Sequence, residues 1–448
     1  MKPAVVVMVF LVGVSACAQD VPDAPSQSQG AAQPYGGPSL LSRGDDPSVL
    51  RGVDLPPLYP YLGVTGVYLS DKGYYGNPTA TPFGFSGMFG ITGIHTWSHT
   101  ELDVDYHGSY RDYVPNRQQD GLDNSLNLSL KHQLTPHLSL SVTENLARAR
   151  NFAALPIGTI YGGGTSGFYP LYSALSGTDL SSAPTLASVG GVRMTYQMSA
   201  RLSVSAGGTG IISRQQLPGG TIGSDGYVAS ADIAYRLTRY QTISAGYSFI
   251  HFGYAGRYGQ TDIHGLNLDY ALRVGRNWEL SASAGVSRSE TLGEVLDPVL
   301  AQLLGVSAVL VKTYSVSYMP SASARLTRSF HHSSWSATYD RTVMGAASLY
   351  GNSTYEDVSS IYTNSALRRL NLNVGAGYYR LLPSAQSLGG YHSLGISGGF
   401  GVPMGRGFSW VGRIDERQYV FASSHRRTVC YATLGIAWRP GRVPVSLW

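Results

Sequence analysis

Three stretches of the sequence carry residue types that could do chemistry, and each is undercut by its surroundings. Gly162, Gly164 and Gly167 have G-x-G-x-x-G spacing, the pattern that cradles a pyrophosphate at a helix N-terminus. No strand–helix context accompanies them, so a dinucleotide site is not expected. Gly395-Ile396-Ser397-Gly398-Gly399 fits G-x-S-x-G, but a serine there is a nucleophile only on a strand-to-helix elbow. Here it lies within an alternating strand pattern. His331 and His332 could ligate a metal, yet no further ligand is spaced to complete a site, and a turn is the expected setting. No nucleophile–histidine–acid set is found, so neither an enzymatic activity nor a cofactor is expected.

The charged residues form a different pattern. Glu101, Asp103, Asp105, Arg193, Asp232, Arg236, Asp269, Arg273, Glu279, Arg325, Arg413 and Asp415 all fall on the polar face of segments that alternate apolar and polar residues. If those segments are strands of a closed barrel, the polar face points inward. A lumen lined by both signs suits a water-filled passage; the alternative is a blocked interior of mutual ion pairs. Glu144 falls on the apolar face by parity.

The segments that would position these residues are clearest at 227–252. Tyr227, Ala229, Ala231, Ile233, Tyr235 and Leu237 share one face, and Ser230, Asp232, Ala234 and Arg236 the other, with Val228 out of pattern. A polar turn of Thr238, Arg239, Tyr240 and Gln241 follows. Ile243, Ala245, Tyr247 and Phe249 then alternate with Thr242, Ser244, Gly246 and Ser248. Period-2 runs of roughly ten residues match the length that crosses a bilayer as a tilted strand. The same unit recurs from residue 61 to 438 and predicts 18 strands, with 16 as the runner-up if the weakest, 61–69 and 355–367, are dropped.

Short connections alternate with longer ones along the chain. The long ones are 148–184 and 290–310, with mid-length ones that include 108–121 and 214–225. The 148–184 loop, with Tyr161, Phe168, Tyr169 and Tyr172, is either a constriction that folds inward or a plain surface loop. In 290–310, Pro298 is placed to start a short helix. Tyr235, Tyr240, Trp278, Trp335 and Trp438 gather near the short turns. Tyr106, Tyr110, Phe252, Tyr254, Tyr378, Tyr379 and Tyr419 gather near the long loops, as two interfacial girdles would.

Composition agrees with this reading. Charged residues make up 13% of the 448, against about 25% in soluble domains. The net charge of +5 is spread over dispersed arginines, so no nucleic-acid partner is expected. Two cysteines, Cys17 and Cys430, allow neither a disulfide framework nor a cysteine metal site. Residues 1–18 read as a signal peptide: Lys2, an apolar run, then Ser15-Ala16-Cys17-Ala18. Cleavage after an A-x-A site is favoured over lipidation at Cys17. Residues 19–58, rich in Pro, Ser and Gln, read as a flexible periplasmic linker. The barrel is assigned to 59–438 and a short tail to 439–448.

The leader, the strands of 227–252 and the final Ala432-Thr433-Leu434-Gly435-Ile436-Ala437-Trp438 together resemble a Gram-negative outer-membrane β-barrel of the porin-like kind. No specific subfamily is matched. Cys430, Ala432, Leu434, Ile436 and Trp438 are similar to the C-terminal insertion signal of that class, although the chain continues to Trp448. The resemblance implies an all-β, up-and-down transmembrane barrel exported to the cell outer membrane. Its implied partners are outer-membrane lipid, the barrel-assembly machinery and small hydrophilic solutes, with homo-oligomerisation left open. A diffusion channel or transporter for such solutes is the first expectation. A structural or export barrel is the alternative, with an outer-membrane lipase or protease behind it.

Overall fold

The computed structural model describes residues 59–72, 83–114, 120–149, 185–217, 220–254, 259–275, 277–296, 310–330, 333–345, 352–367, 370–383, 390–421 and 426–438. The leader, linker and C-terminal tail expected from the sequence lie outside them. So do the G-x-G-x-x-G stretch, His331–His332, most of the 148–184 loop and Pro298.

Eighteen antiparallel strands, each hydrogen-bonded to its neighbours in chain order, form one sheet. They are β1 (Tyr59–Lys72), β2 (Phe83–Thr96), β3 (Thr100–Val114), β4 (Gly121–Thr135), β5 (Leu138–Ala149), β6 (Thr185–Gln197), β7 (Leu202–Leu217), β8 (Gly220–Thr238), β9 (Gln241–Tyr254), β10 (Gly259–Val274), β11 (Trp278–Leu296), β12 (Leu310–Ser329), β13 (Ser333–Gly345), β14 (Asn352–Leu367), β15 (Leu370–Pro383), β16 (Tyr391–Gly405), β17 (Phe408–Phe421) and β18 (Arg426–Trp438). β1 also pairs with β18, from Leu62 opposite Trp438 to Lys72 opposite Thr428, which closes the sheet into a barrel. The expected count of 18 is met, weak first strand included.

The strands are longer than their apolar alternation suggests. The stretch 214–225, expected as a loop, is mostly strand: β7 runs on to Leu217, which pairs with Gly220. The expected loop 290–310 likewise gives up its flanks to β11 and β12, which stay paired up to Leu296 opposite Leu310. Backbone pairing does not stop where apolar residues stop. A ladder continues into water wherever its partner strand continues too.

The turns at one rim are built from local chemistry. The Thr135 hydroxyl accepts from the backbone N–H groups of His137 and Leu138, and the Ser199 hydroxyl from those of Arg201 and Leu202. At the β16–β17 turn, Gly405, Arg406 and Gly407 all have positive φ, a conformation that glycine adopts without strain. Successive turns are tied sideways as well. Arg236 N–H donates to the Arg201 carbonyl, Arg273 to Tyr240 and Ser329 to Asn277.

One face of the wall is apolar and exposed, with Leu62, Val64, Phe85, Leu266, Leu268, Leu394, Ile396, Ile414 and Leu434 along it. On that outer face the Phe89 ring lies over Gly108, and the Phe400 ring over Gly412, so aromatics cover bare backbone across the strand pair. The opposite, inward face holds the buried residues. Its short-turn half is mostly polar. Its other half carries an apolar and aromatic cluster with Val67, Leu69, Tyr113, Tyr355, Tyr379, Tyr391, Tyr419 and Tyr431.

Trp278, Trp335 and Trp438 stand near the short-turn rim as expected, Trp278 and Trp335 edge to face at 6.4 Å. Three aromatics assigned to the opposite girdle do not belong there. Phe252, Tyr379 and Tyr419 have inward parity and are buried. Proximity to a loop had placed them in the girdle; their alternation with Phe249, Tyr378 and Gln418 puts them inside.

Gly435 tests the closing seam. It sits opposite Thr65, and a Cβ there would run into the Val64 carbonyl oxygen and the Thr65 Cα. Gly435→Val is expected to leave the barrel unclosed, read as loss of the folded band in unheated gel electrophoresis. Gly66→Ala on the same seam, where the nearest atom would be 3.8 Å away, should retain it.

Candidate functional site

All twelve charged residues singled out from the sequence have inward parity in the paired register. Their arrangement differs around the ring. Glu101, Asp103 and Asp105 rise along β3 from its short-turn end, opposite Lys131, Ser129 and Asn127 of β4. On β8, β10 and β12, Arg236, Arg273 and Arg325 stand in the short-turn half, with Glu279 directly opposite Arg273. β3 and β12 are nine strands apart in a ring of eighteen. The acidic trio therefore lies across the barrel from Arg325.

Between these walls is a connected polar group. Arg193 on β6 reaches past β7 to Asp232 on β8, Nη1 to Oδ1 2.9 Å, and to the Ser230 hydroxyl. The reach exists because the residue between them is Gly207, where a side chain would meet Arg193 itself. Ser205 donates to the other Asp232 oxygen at 3.0 Å. Two strands further on, Ser244 donates to Asp269 at 3.1 Å. On β17, Arg413 Nε and Asp415 Oδ2 pair at 2.5 Å within one strand.

Several inward groups were not singled out from the sequence. Arg111 and Asp123 form a buried ion pair between β3 and β4. Tyr61 and His107 are hydrogen-bonded and stacked. Asp340, Asp357, Arg417 and Arg427 share the same face. Arg111 lay in a stretch read as loop. The others lay within predicted strands, and their parity was legible.

The aromatic half is also continuous across strands. Tyr355 and Tyr379 are 5.0 Å apart, Tyr379 and Tyr391 5.5 Å, and Tyr391 and Tyr419 6.2 Å. The Tyr391 hydroxyl donates to that of Tyr379 at 3.3 Å. Arg427 stands over Tyr419 and Arg111 over Tyr431, each about 6 Å from the ring, within cation–π range.

Glu144 does face outward, as parity required. It accepts from the Ser188 hydroxyl at 2.8 Å, and its carboxylate lies over Gly190. A neighbour without a side chain lets it fold flat on the wall and take a hydrogen bond. The Ser397 of G-x-S-x-G sits mid-strand in β16 and pairs with Asp415 and Gly375, without an elbow. Among the described residues no group of three or more His, Cys, Asp or Glu could hold a metal.

The sequence matches no protein-family description and no curated protein. Solved barrels are similar at low identity. Pseudomonas aeruginosa OccK2 (OpdF), in complex with glucuronate, is 11% identical with a TM-score of 0.42, over 85% of this chain and 98% of that one. Acinetobacter baumannii OccAB4 is 10% identical with a TM-score of 0.41, over 86% and 99%. Pseudomonas aeruginosa OpdK, with vanillate, is 10% identical with a TM-score of 0.42, over 85% and 98%.

The Arg193–Asp232 pair is testable by a double-mutant cycle. Asp232→Asn leaves a largely buried guanidinium without its counter-charge and is expected to cost about 3 kcal/mol. Adding Arg193→Gln should recover much of that loss. Urea unfolding of the refolded protein, followed by tryptophan fluorescence, measures both.

Proposed function

We propose that the chain is an outer-membrane, porin-like channel that passes small hydrophilic solutes down their gradients. The observation that carries this reading is the division of the wall. The outer face is apolar and exposed, and the inner face carries charges of both signs. An apolar outside with a polar inside inverts the plan of a water-soluble protein and suits lipid around an aqueous lumen. Closure matters equally, because an open edge would leave unpaired N–H and C=O groups in hydrocarbon. Eighteen strands give a bore wide enough for a channel.

Selection would be steric and electrostatic. Near the short-turn rim, the acidic trio of β3 and the arginines of β8, β10 and β12 set up a field across the passage. A solute carrying both charge and dipole would orient in it. Above, the tyrosines of β14 to β17 and Tyr431 would form the narrow level. There the passing solute meets aromatic faces flanked by Arg111 and Arg427.

The leader would direct export, the barrel-assembly machinery would insert the strands, and lipid would surround them. The twelve charged residues are proposed to line the passage.

Two planar-bilayer measurements test the reading. Discrete current steps are expected from the refolded chain, and their absence from a folded barrel would favour an export or anchoring role. Arg236→Glu with Arg273→Glu should shift the reversal potential in a salt gradient toward cation selectivity. Unchanged selectivity would contradict the lumenal assignment. Tyr379→Ala with Tyr391→Ala should raise single-channel conductance, about twofold if this level carries half of the resistance.

A further inference from the structure

The outer wall changes character toward the long-loop rim of β13 to β18. Arg341, Glu356, Arg380, His392, Val420 and Arg426 are register partners in an unbroken line across these six strands. All have outward parity. Glu356 bridges the two arginines beside it, Arg341 Nη1 at 3.3 Å and Arg380 Nη1 at 3.7 Å. The carboxylate is the least exposed of the three, at 20% against 38% for Arg341 and 46% for Arg380. The carboxylate is thus the more covered partner and the two guanidiniums the more exposed ones. His392 and Arg426 are exposed. The row thus carries three arginines and a histidine against one carboxylate.

Elsewhere on the outer wall, at similar distances from the short turns, several charges are matched within the protein. His251 pairs with Asp262, Arg288 with Glu290, and Arg214 with Asp225, all at 2.6 Å. Tyr314 donates to Glu290 at 2.6 Å. Along β13 to β18 the described residues leave a surplus of cations in one line; the line through Arg148, Leu186 and Arg214 carries two arginines, of which Arg214 is paired with Asp225.

Directly below this row, one step toward the short turns, stand Val358, Tyr378 and Leu394, all exposed, and below them Ile396, Val374 and Ile414. Charged row and a mainly apolar wall therefore meet here, with Gln418 and Glu416 of β17, hydrogen-bonded to each other, as the polar exceptions. Arg380 lies ten residues along β15 from Leu370. At about 3.3 Å per residue and a tilt of roughly 40°, that is about 25 Å above the short-turn rim, the height of the apolar band of such barrels.

We propose that this row binds the phosphate groups of a phosphorylated lipid in the leaflet on the long-loop side, with its acyl chains lying along Val358, Tyr378 and Leu394. The inference rests on the membrane-spanning reading above. Phosphate suits the site because a guanidinium edge takes two phosphate oxygens in parallel hydrogen bonds. A lipid suits it because one molecule supplies both the anion and the apolar chain that the boundary calls for. A free phosphate would use only the upper half.

The test uses the full refolded chain and bis-phosphorylated lipid A as the probe, with lipid retention read by native mass spectrometry from neutral detergent. Wild type should retain lipid A in preference to phosphatidylcholine. Arg341→Gln/Arg380→Gln/Arg426→Gln should retain it at least about tenfold less, while keeping the folded gel mobility. Should the triple variant fail to fold, the exposed single change Arg380→Gln must still weaken retention severalfold. Arg288→Gln, in a charge-matched sector, should leave it unchanged. Equal retention by wild type and the arginine variants would overturn the proposal. So would displacement of lipid A by millimolar inorganic phosphate, which would mark a simple anion site. Flotation with phosphatidylcholine vesicles separates the two readings. A chain that floats without phosphate preference loses this proposal alone, and one that does not float loses the membrane reading with it.

Discussion

The pairing of β1 with β18 is the interaction on which the rest depends. Each of the other neighbouring pairs joins strands consecutive in sequence, and most could form as local hairpins. The seam between Leu62–Lys72 and Thr428–Trp438 joins the two ends of the barrel chain. Without it the sheet has two edges and no inside. With it, every strand finds a partner on both sides, and the two faces become a lumen and an outer surface. Glycines at the seam serve that approach: at Gly435 there is no room for even one carbon beyond the backbone.

Closure then gives period-2 alternation its meaning. In an open sheet, two faces of different polarity are only two faces. In a closed one, the polar face is enclosed, so its charges must pair, bind water or meet a solute. The inner wall does this with short-range partners: Arg193 across Gly207 to Asp232, Asp269 with Ser244, and Arg413 with Asp415. Small residues are used twice over, as space for a neighbour to cross and as hydroxyl partners for carboxylates. Polar residues on the outer wall follow the same rule. Glu144 lies flat over Gly190 and takes a hydrogen bond from Ser188.

The inner wall is also zoned along its axis. The short-turn half is mostly polar, and the other half carries stacked tyrosines with arginines at their faces. On the proposed channel reading, a solute would meet two different filters in series, one set by field and one by ring contact. The outer wall is zoned as well, with apolar residues giving way to charge near the long-loop rim. In a bilayer, as proposed, such a boundary would give the barrel a vertical register.

Alternation is a local property, so the sequence alone specified the strands, their number and the face each side chain takes. Leu266, Leu268 and Tyr270 could be placed on one side and Asp269 and Arg273 on the other without any neighbour. That same parity holds for Phe252, Tyr379 and Tyr419, although their closeness to a loop suggests the girdle. Strand ends were less legible, since β7, β8, β11 and β12 run past their apolar alternation on the strength of a paired neighbour. What only the tertiary structure decided is who meets whom across strands. Arg193 and Asp232 are 39 residues apart in sequence and meet over a glycine. Arg341, Glu356 and Arg380 come into line only through the registers of two hairpins. Register is set jointly by the turns and by ring closure, and neither can be read from one segment's own pattern.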